Sequence, residues 1–129
     1  MPKFINSEAA KAVGLPFSQA VRVGDTVYLS GAIGNVSGKM ALAPGGIESE
    51  TRQMMQNIEG VLKEAALGFD QVFKCVVYLA DMAEWNAFNK IYLPYFKPGR
   101  YPARTAIGAH QLILDARVEM ECWADAGSN

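Results

Sequence analysis

The apolar and polar positions divide the chain into short β-prone runs, two helical stretches and a glycine-rich connection between them. Residues 19–23 and 26–30 read as two short strands. Gly24-Asp25 between them is a favoured two-residue hairpin turn. Gly31, Gly34, Gly38, Pro44, Gly45 and Gly46 then punctuate a loop. From 47 to 66 the period becomes helical: Ile47, Thr51, Met54, Met55, Ile58, Val61, Leu62 and Ala65 fall on one side, with Gly68 as the expected stop. Residues 72–80 form a nearly continuous apolar run, which predicts a central strand covered on both faces. Asp81 and Glu84 have the spacing of a capping box. A second helix should follow, with Trp85, Phe88, Ile91, Tyr92 and Tyr95 as its stripe and Pro98-Gly99 as its end. Strands are expected at 104–109 and 117–124.

The resulting order, β-β-α-β-α-β-β, describes an α+β domain with both helices packed on one face of a mixed sheet. No helix is left over for the other face. Self-association is the economical way to cover it.

A chain of 129 residues fits one domain, 1–129, and half of its residues are hydrophobic, enough for one sizeable core. Charged residues make up 19% and the net charge is −1, which offers no broad attraction to nucleic acid or anionic membrane. The first residues lack the apolar stretch of a secretory signal, and no apolar run approaches the ~20 residues of a membrane span. A cytoplasmic protein is the expectation. Cys75 and Cys122 lie in apolar segments and read as buried thiols, with a disulfide or redox role as the alternative.

Several chemical signatures are missing. The chain has no phosphate-cradling loop ending in Lys-Ser/Thr, no His-Glu-x-x-His and no Cys-x-x-Cys. Its one histidine, His110, reads more simply as a solvated or hydrogen-bonded residue than as a catalytic base, and no metal site is expected around it. Arg104 is more informative. It enters an otherwise apolar strand just after Pro102, where burial is costly unless an anion meets it. Its planar fork suits a carboxylate; a structural ion pair to an internal Asp or Glu is the plainer alternative. In the last strand, period two places Glu119 and Glu121 on one face and Val118, Met120 and Cys122 on the other. That acidic face is either solvated or, at a subunit interface, the source of a general base.

Taken in order, several motifs together resemble the RidA/YjgF family over essentially the whole chain. They are Gly14-Leu15-Pro16-Phe17-Ser18-Gln19-Ala20, Val27-Tyr28-Leu29-Ser30-Gly31, Gln56-Asn57-Ile58, Val77-Tyr78-Leu79-Ala80-Asp81-Met82, Phe88-Asn89-Lys90-Ile91-Tyr92, Tyr101-Pro102-Ala103-Arg104 and Val118-Glu119-Met120-Glu121. The resemblance implies a chorismate-mutase-like fold of the bacillus type. It also implies a homotrimer with the sheets as an inner barrel and sites in the clefts between subunits. The implied activity is deamination of reactive enamines and imines, such as 2-aminoacrylate, to 2-keto acids and ammonia.

By the same resemblance, Arg104 binds the substrate carboxylate and Glu119 activates water for attack on the imine carbon. Phe17, Ser30, Gly31, Asn89 and Ala106 surround the substrate, Gly31 and Ala106 through their backbones. No metal or organic cofactor is implied, because the imine is already electrophilic. Three positions depart from the family pattern: Phe17 replaces a common tyrosine, Ala106 a cysteine found in some members, and Ile113 a common proline. Two other functions are carried as alternatives. One is the endoribonuclease or translation-inhibitor activity described for some members, for which the charge is poorly suited. The other is 2-keto acid binding without turnover.

Overall fold

In the computed structural model, which describes residues 1–127, the chain folds as a twisted mixed sheet with two main helices packed on one side. Its strands are β1 (Lys3–Ile5), β2 (Ala20–Val23), β3 (Thr26–Leu29), β4 (Ala32–Ile33), β5 (Val72–Leu79), β6 (Ala103–Gly108) and β7 (Val118–Asp125). The order across the sheet is β1-β2-β3-β7-β5-β6, with β4 also beside β7. Only the β5–β6 pair is parallel, as their connection through the second helix requires. The helices are α1 (Glu8–Val13), α2 (Ile47–Glu64) and α3 (Trp85–Tyr92). The α+β order read from the sequence is present, with β1, α1 and β4 added. These three are too short to show a period. Helix α1 is held by its ends instead: the Ser7 hydroxyl accepts from the Ala10 N–H, and Gly14 closes it at φ +74°.

The core lies between the helices and one sheet face. Met54, Met55, Ile58 and Leu62 of α2 and Phe88 of α3 are almost fully buried there against Val77, Leu79, Val118 and Met120. Strand β7 alternates as its sequence predicts, with Val118, Met120, Cys122 and Ala124 buried and Glu119, Glu121 and Trp123 half-buried on the other side. Strand β5 departs from expectation. It is covered on one face only: Val72, Cys75, Val77 and Leu79 are buried, Val76 and Tyr78 are half-buried, and Phe73 is exposed at a bulge. An apolar run is compatible with one covered face and one awaiting a partner.

Two helix boundaries also differ from the sequence reading. Helix α2 stops through Ala66, at φ +60°, whereas Gly68 is extended at φ −141°. The N–H of Leu67 donates to the Leu62 carbonyl at 2.8 Å and that of Ala66 to Lys63 at 2.9 Å, the paired bonds of a Schellman motif. Asp81 does cap a short 3-10 turn, Met82–Glu84, by accepting from the Ala83 N–H. The box does not close because Glu84 is taken by Arg117, whose Nε donates to it at 2.8 Å. Helix α3 runs into a second 3-10 turn, Leu93–Tyr95, so it ends before Pro98.

A polar network fixes the glycine-rich connection. The Asn57 amide donates to the carbonyls of Ile33 and Asn35 at 3.0 and 2.9 Å, tying β4 to α2. Buried Glu50 accepts the Arg117 N–H at 2.9 Å. A left-handed alanine costs about 1–2 kcal/mol that glycine does not. Ala66→Gly should therefore raise stability by about 0.5–1 kcal/mol in urea unfolding, after allowance for the greater unfolded-state freedom of glycine. A lower midpoint would contradict the assignment of this position as the stop.

Candidate active site

Arg104 stands on β6, an edge strand that pairs only with β5. Parallel register sets Arg104 beside Cys75 and Ala106 beside Val77, both buried under the helices. Alternation therefore directs Arg104 and Ala106 toward the helix layer. There the guanidinium carbon lies 4.8 Å from the ring centroids of Trp85 and Tyr92 and 5.5 Å from that of Phe88. Nη1 donates to the Asn89 side-chain oxygen at 2.7 Å. Arg104 forms no ion pair among the described residues, so the internal-carboxylate alternative is not what the chain shows. The Tyr92 hydroxyl is buried without a well-formed hydrogen bond. Burial pushes its pKa well up, and the nearby Arg104 cation only partly offsets this.

The second group of residues lies on the opposite face of the sheet. Glu119 is half-buried against Gly31, where any side chain would collide with its carboxylate. The neighbouring Ser30 hydroxyl donates to the Ser18 carbonyl at 2.6 Å, which ties the β3 end to the loop carrying Phe17. Phe17 itself is 52% exposed. Burial first, and then the Glu121 charge, hold the Glu119 carboxyl above its usual range. Tyr78, directly across from Glu119 on β5, donates its hydroxyl to Glu121 at 2.6 Å, and this bond to a carboxylate raises the tyrosine.

The residues singled out from the sequence thus form two clusters. Arg104, Asn89 and Ala106 share one, whereas Gly31 and Glu119 meet in the other, next to Ser30, whose bond to Ser18 holds the loop carrying Phe17. A single chain does not bring the two together: Arg104 and Glu119 point to opposite faces, with β5 between their strands. His110 is exposed beyond β6. Cys75 and Cys122 are free, buried and paired across β5 and β7, with their sulfurs 3.0 Å apart. Among the described residues, no three of His, Cys, Asp and Glu gather in a metal-binding group.

Sequence reasoning missed the aromatic cradle of Arg104 and the bond from Tyr78 to Glu121. The cradle had a signal, since Trp85, Phe88, Asn89 and Tyr92 fall at i, i+3, i+4 and i+7 of one helical face, with a polar Asn in the apolar stripe. The Tyr78 bond depends on the register of β5 against β7, which no local pattern specifies.

A mixed sheet with two main helices on one side places the chain in the class of small two-layer α+β proteins. Within that class the chain belongs to the RidA/YjgF family: the family described as Endoribonuclease L-PSP matches residues 7–126. It is 40% identical to the 2-iminobutanoate/2-iminopropanoate deaminase of Mus musculus over 97% of this chain and 92% of that protein. The crystal structure of YyfA, a Rid-family protein of unknown function from Yersinia pestis, superposes with a TM-score of 0.90 at 30% identity, over 97% of this chain and 99% of that one. Yeast Mmf1 does so with a TM-score of 0.89 at 29% identity, over 98% and 100%.

The electrostatics of the acidic face lead to a pH prediction. Glu119 is approached by Glu121 on its own strand and Tyr78 on β5, and the Glu121 charge holds its pKa up. Glu121→Gln removes that charge, so the Glu119 pKa should fall. Any activity that uses the Glu119 carboxylate as a base should then have its acidic limb displaced to lower pH in a kcat/KM profile. An unmoved limb would mean that Glu119 is not the titrating group.

Proposed function

We propose that this chain is a deaminase that hydrolyses enamines and imines of small 2-amino acids, such as 2-aminoacrylate, to 2-keto acids and ammonia. The observation that carries the reading is Arg104: a half-buried cation with an oriented hydrogen bond, an aromatic setting and no carboxylate partner among the described residues. Such a group suits an incoming carboxylate, which every 2-imino acid has. The identity to a 2-iminobutanoate/2-iminopropanoate deaminase supports the same substrate class.

The chemistry follows from the substrate. Protonation of the enamine at its terminal carbon gives the imine in its protonated form, whose carbon is electrophilic. Glu119, as a carboxylate with raised proton affinity, takes a proton from water as the water oxygen bonds to that carbon. Glu119 returns that proton to the nitrogen of the tetrahedral intermediate and takes the hydroxyl proton as the carbon–oxygen double bond forms, so the carbon–nitrogen bond breaks and ammonia leaves the 2-keto acid. Backbone groups at Gly31 and Ala106 orient the substrate, with Asn89 and Ser30 as polar supports and Phe17 as an apolar wall. The domain 1–129 acts as one unit, and its buried free thiols suit a reducing cytoplasm.

Because Arg104 and Glu119 lie on opposite faces, one substrate can meet both only where two chains adjoin. A homotrimer supplies such clefts, since each head-to-tail interface joins the Arg104 side of one chain to the Glu119 side of the next. The open sheet face is suited to burial in that assembly. Tyr28 and Ile107 are each 44% exposed on it, and Phe4 is 67% exposed at its edge.

Two outcomes are expected. With 2-aminoacrylate generated in situ by a PLP-dependent enzyme, wild type should accelerate its loss, and Arg104→Ala should lose about a hundredfold in kcat/KM. No acceleration by folded wild type would overturn the deaminase assignment. Arg104→Ala and Glu119→Ala chains should each be inactive alone. Unfolded together and refolded as a 1:1 mixture, they should recover about one quarter of wild-type activity, the share of interfaces with both intact residues. No recovery in verified mixed trimers would place both groups in one chain's site.

A further inference from the structure

One stripe of α3 supplies the three rings around the Arg104 guanidinium, but its members are there for different reasons. Phe88 and Tyr92 are 0% and 2% exposed and belong to the core. Their rings pack 5.3 Å apart, and Tyr92 continues to Phe96 at 4.8 Å. Helix–sheet packing accounts for both. Trp85 is different. It opens α3, is 37% exposed, and takes part in no ring–ring pair among the described residues. Yet its ring comes as close to the guanidinium as the buried ring of Tyr92. The core does not call for a large aromatic ring at this position. The arginine does.

We propose that Trp85 is a positioning residue for Arg104, its ring holding the guanidinium so that two free N–H donors meet a substrate carboxylate together. The inference rests on reading Arg104 as the carboxylate clamp. A long arginine side chain fixed at one nitrogen can still swivel about that contact, and its hydrogen bond to Asn89 uses one of five donors. A ring against the guanidinium removes that freedom. An aromatic ring is also the right chemistry for the task. It attracts the cation through its face and offers no oxygen, so it does not compete for the remaining donors as an Asp or Glu would. Less ordering is then left to occur when the carboxylate binds.

The test uses the intact oligomer of wild type, Trp85→Ala, Trp85→Phe and Arg104→Ala. Turnover of 2-aminoacrylate gives kcat and KM, and calorimetric titration with pyruvate, a stable 2-keto acid, gives Kd. Trp85→Ala should raise KM and the pyruvate Kd about tenfold, with kcat changed less than threefold, the pattern of lost binding without lost chemistry. Trp85→Phe should restore both constants to within threefold of wild type. A merely structural role would lower the thermal midpoint without splitting KM from kcat. Wild-type pyruvate affinity in Trp85→Ala, or equal damage in Trp85→Phe, would overturn the proposal. Should wild type bind pyruvate through Arg104 without turning over 2-aminoacrylate, the deaminase reading falls, while the Kd comparison still decides the role of Trp85. Pyruvate binding untouched by Arg104→Ala would overturn both.

Discussion

Helices α2 and α3 cover only one face of the sheet, and strand alternation extends that asymmetry to every side chain. On β7, Val118, Met120 and Cys122 go under the helices, so Glu119 and Glu121 must go to the open side. On β6, parallel pairing with β5 gives Arg104 the phase of Cys75, so its long side chain must run beneath α3. The fold thereby separates a cation and a carboxylate that lie only two strands apart. It also leaves Tyr28 and Ile107 exposed on the open face, beside the two carboxylates. One constraint, single-sided coverage, therefore decides both where Arg104 and Glu119 point and which side chains the open face exposes.

Much of this was legible in the sequence because it is local. The Gly24-Asp25 hairpin, the α2 stripe and the alternation of β7 all depend on neighbours a few residues apart, and the structure keeps them. The failures are where tertiary contacts outvoted local preference. Ala66 takes the left-handed stop in place of Gly68 because the chain must turn at once to place Phe69 in the core. Glu84 has the right spacing for a capping box but makes a two-nitrogen ion pair with Arg117, which lies next to β7. The apolar run in β5 misled for another reason. Apolar content reports that a face will be covered, not whether the same chain covers it.

For the candidate site, the sequence singled out candidate residues and not their arrangement. Arg104 stood out as a cation in an apolar strand, and Glu119 as one of a carboxylate pair. That they point to opposite faces follows only from two registers, β5 with β6 and β5 with β7, each joining segments distant in the chain. Tyr78 is the sharpest case. Within its own strand it is one more aromatic residue; across the register it faces Glu119 and holds Glu121 by a hydrogen bond at 2.6 Å. Glu121 is thereby kept near Glu119, whose carboxyl it helps hold above the usual range.

The separation of the two groups has a chemical consequence. Placed on the same face of one chain, a guanidinium and a half-buried carboxylate this close would pair with each other, because a desolvated ion is most readily stabilised by its nearest counter-charge. Such a pair would occupy the donors needed for a substrate carboxylate and lower the proton affinity of the base. On opposite faces neither loss occurs. Arg104 is held by rings and by the neutral amide oxygen of Asn89, and Glu119 sits against Gly31 with only another carboxylate and a tyrosine nearby. Each keeps the capacity that pairing with the other would remove. Folding alone thus sets a cation and a carboxylate of raised proton affinity on opposite faces of one sheet, where neither neutralises the other.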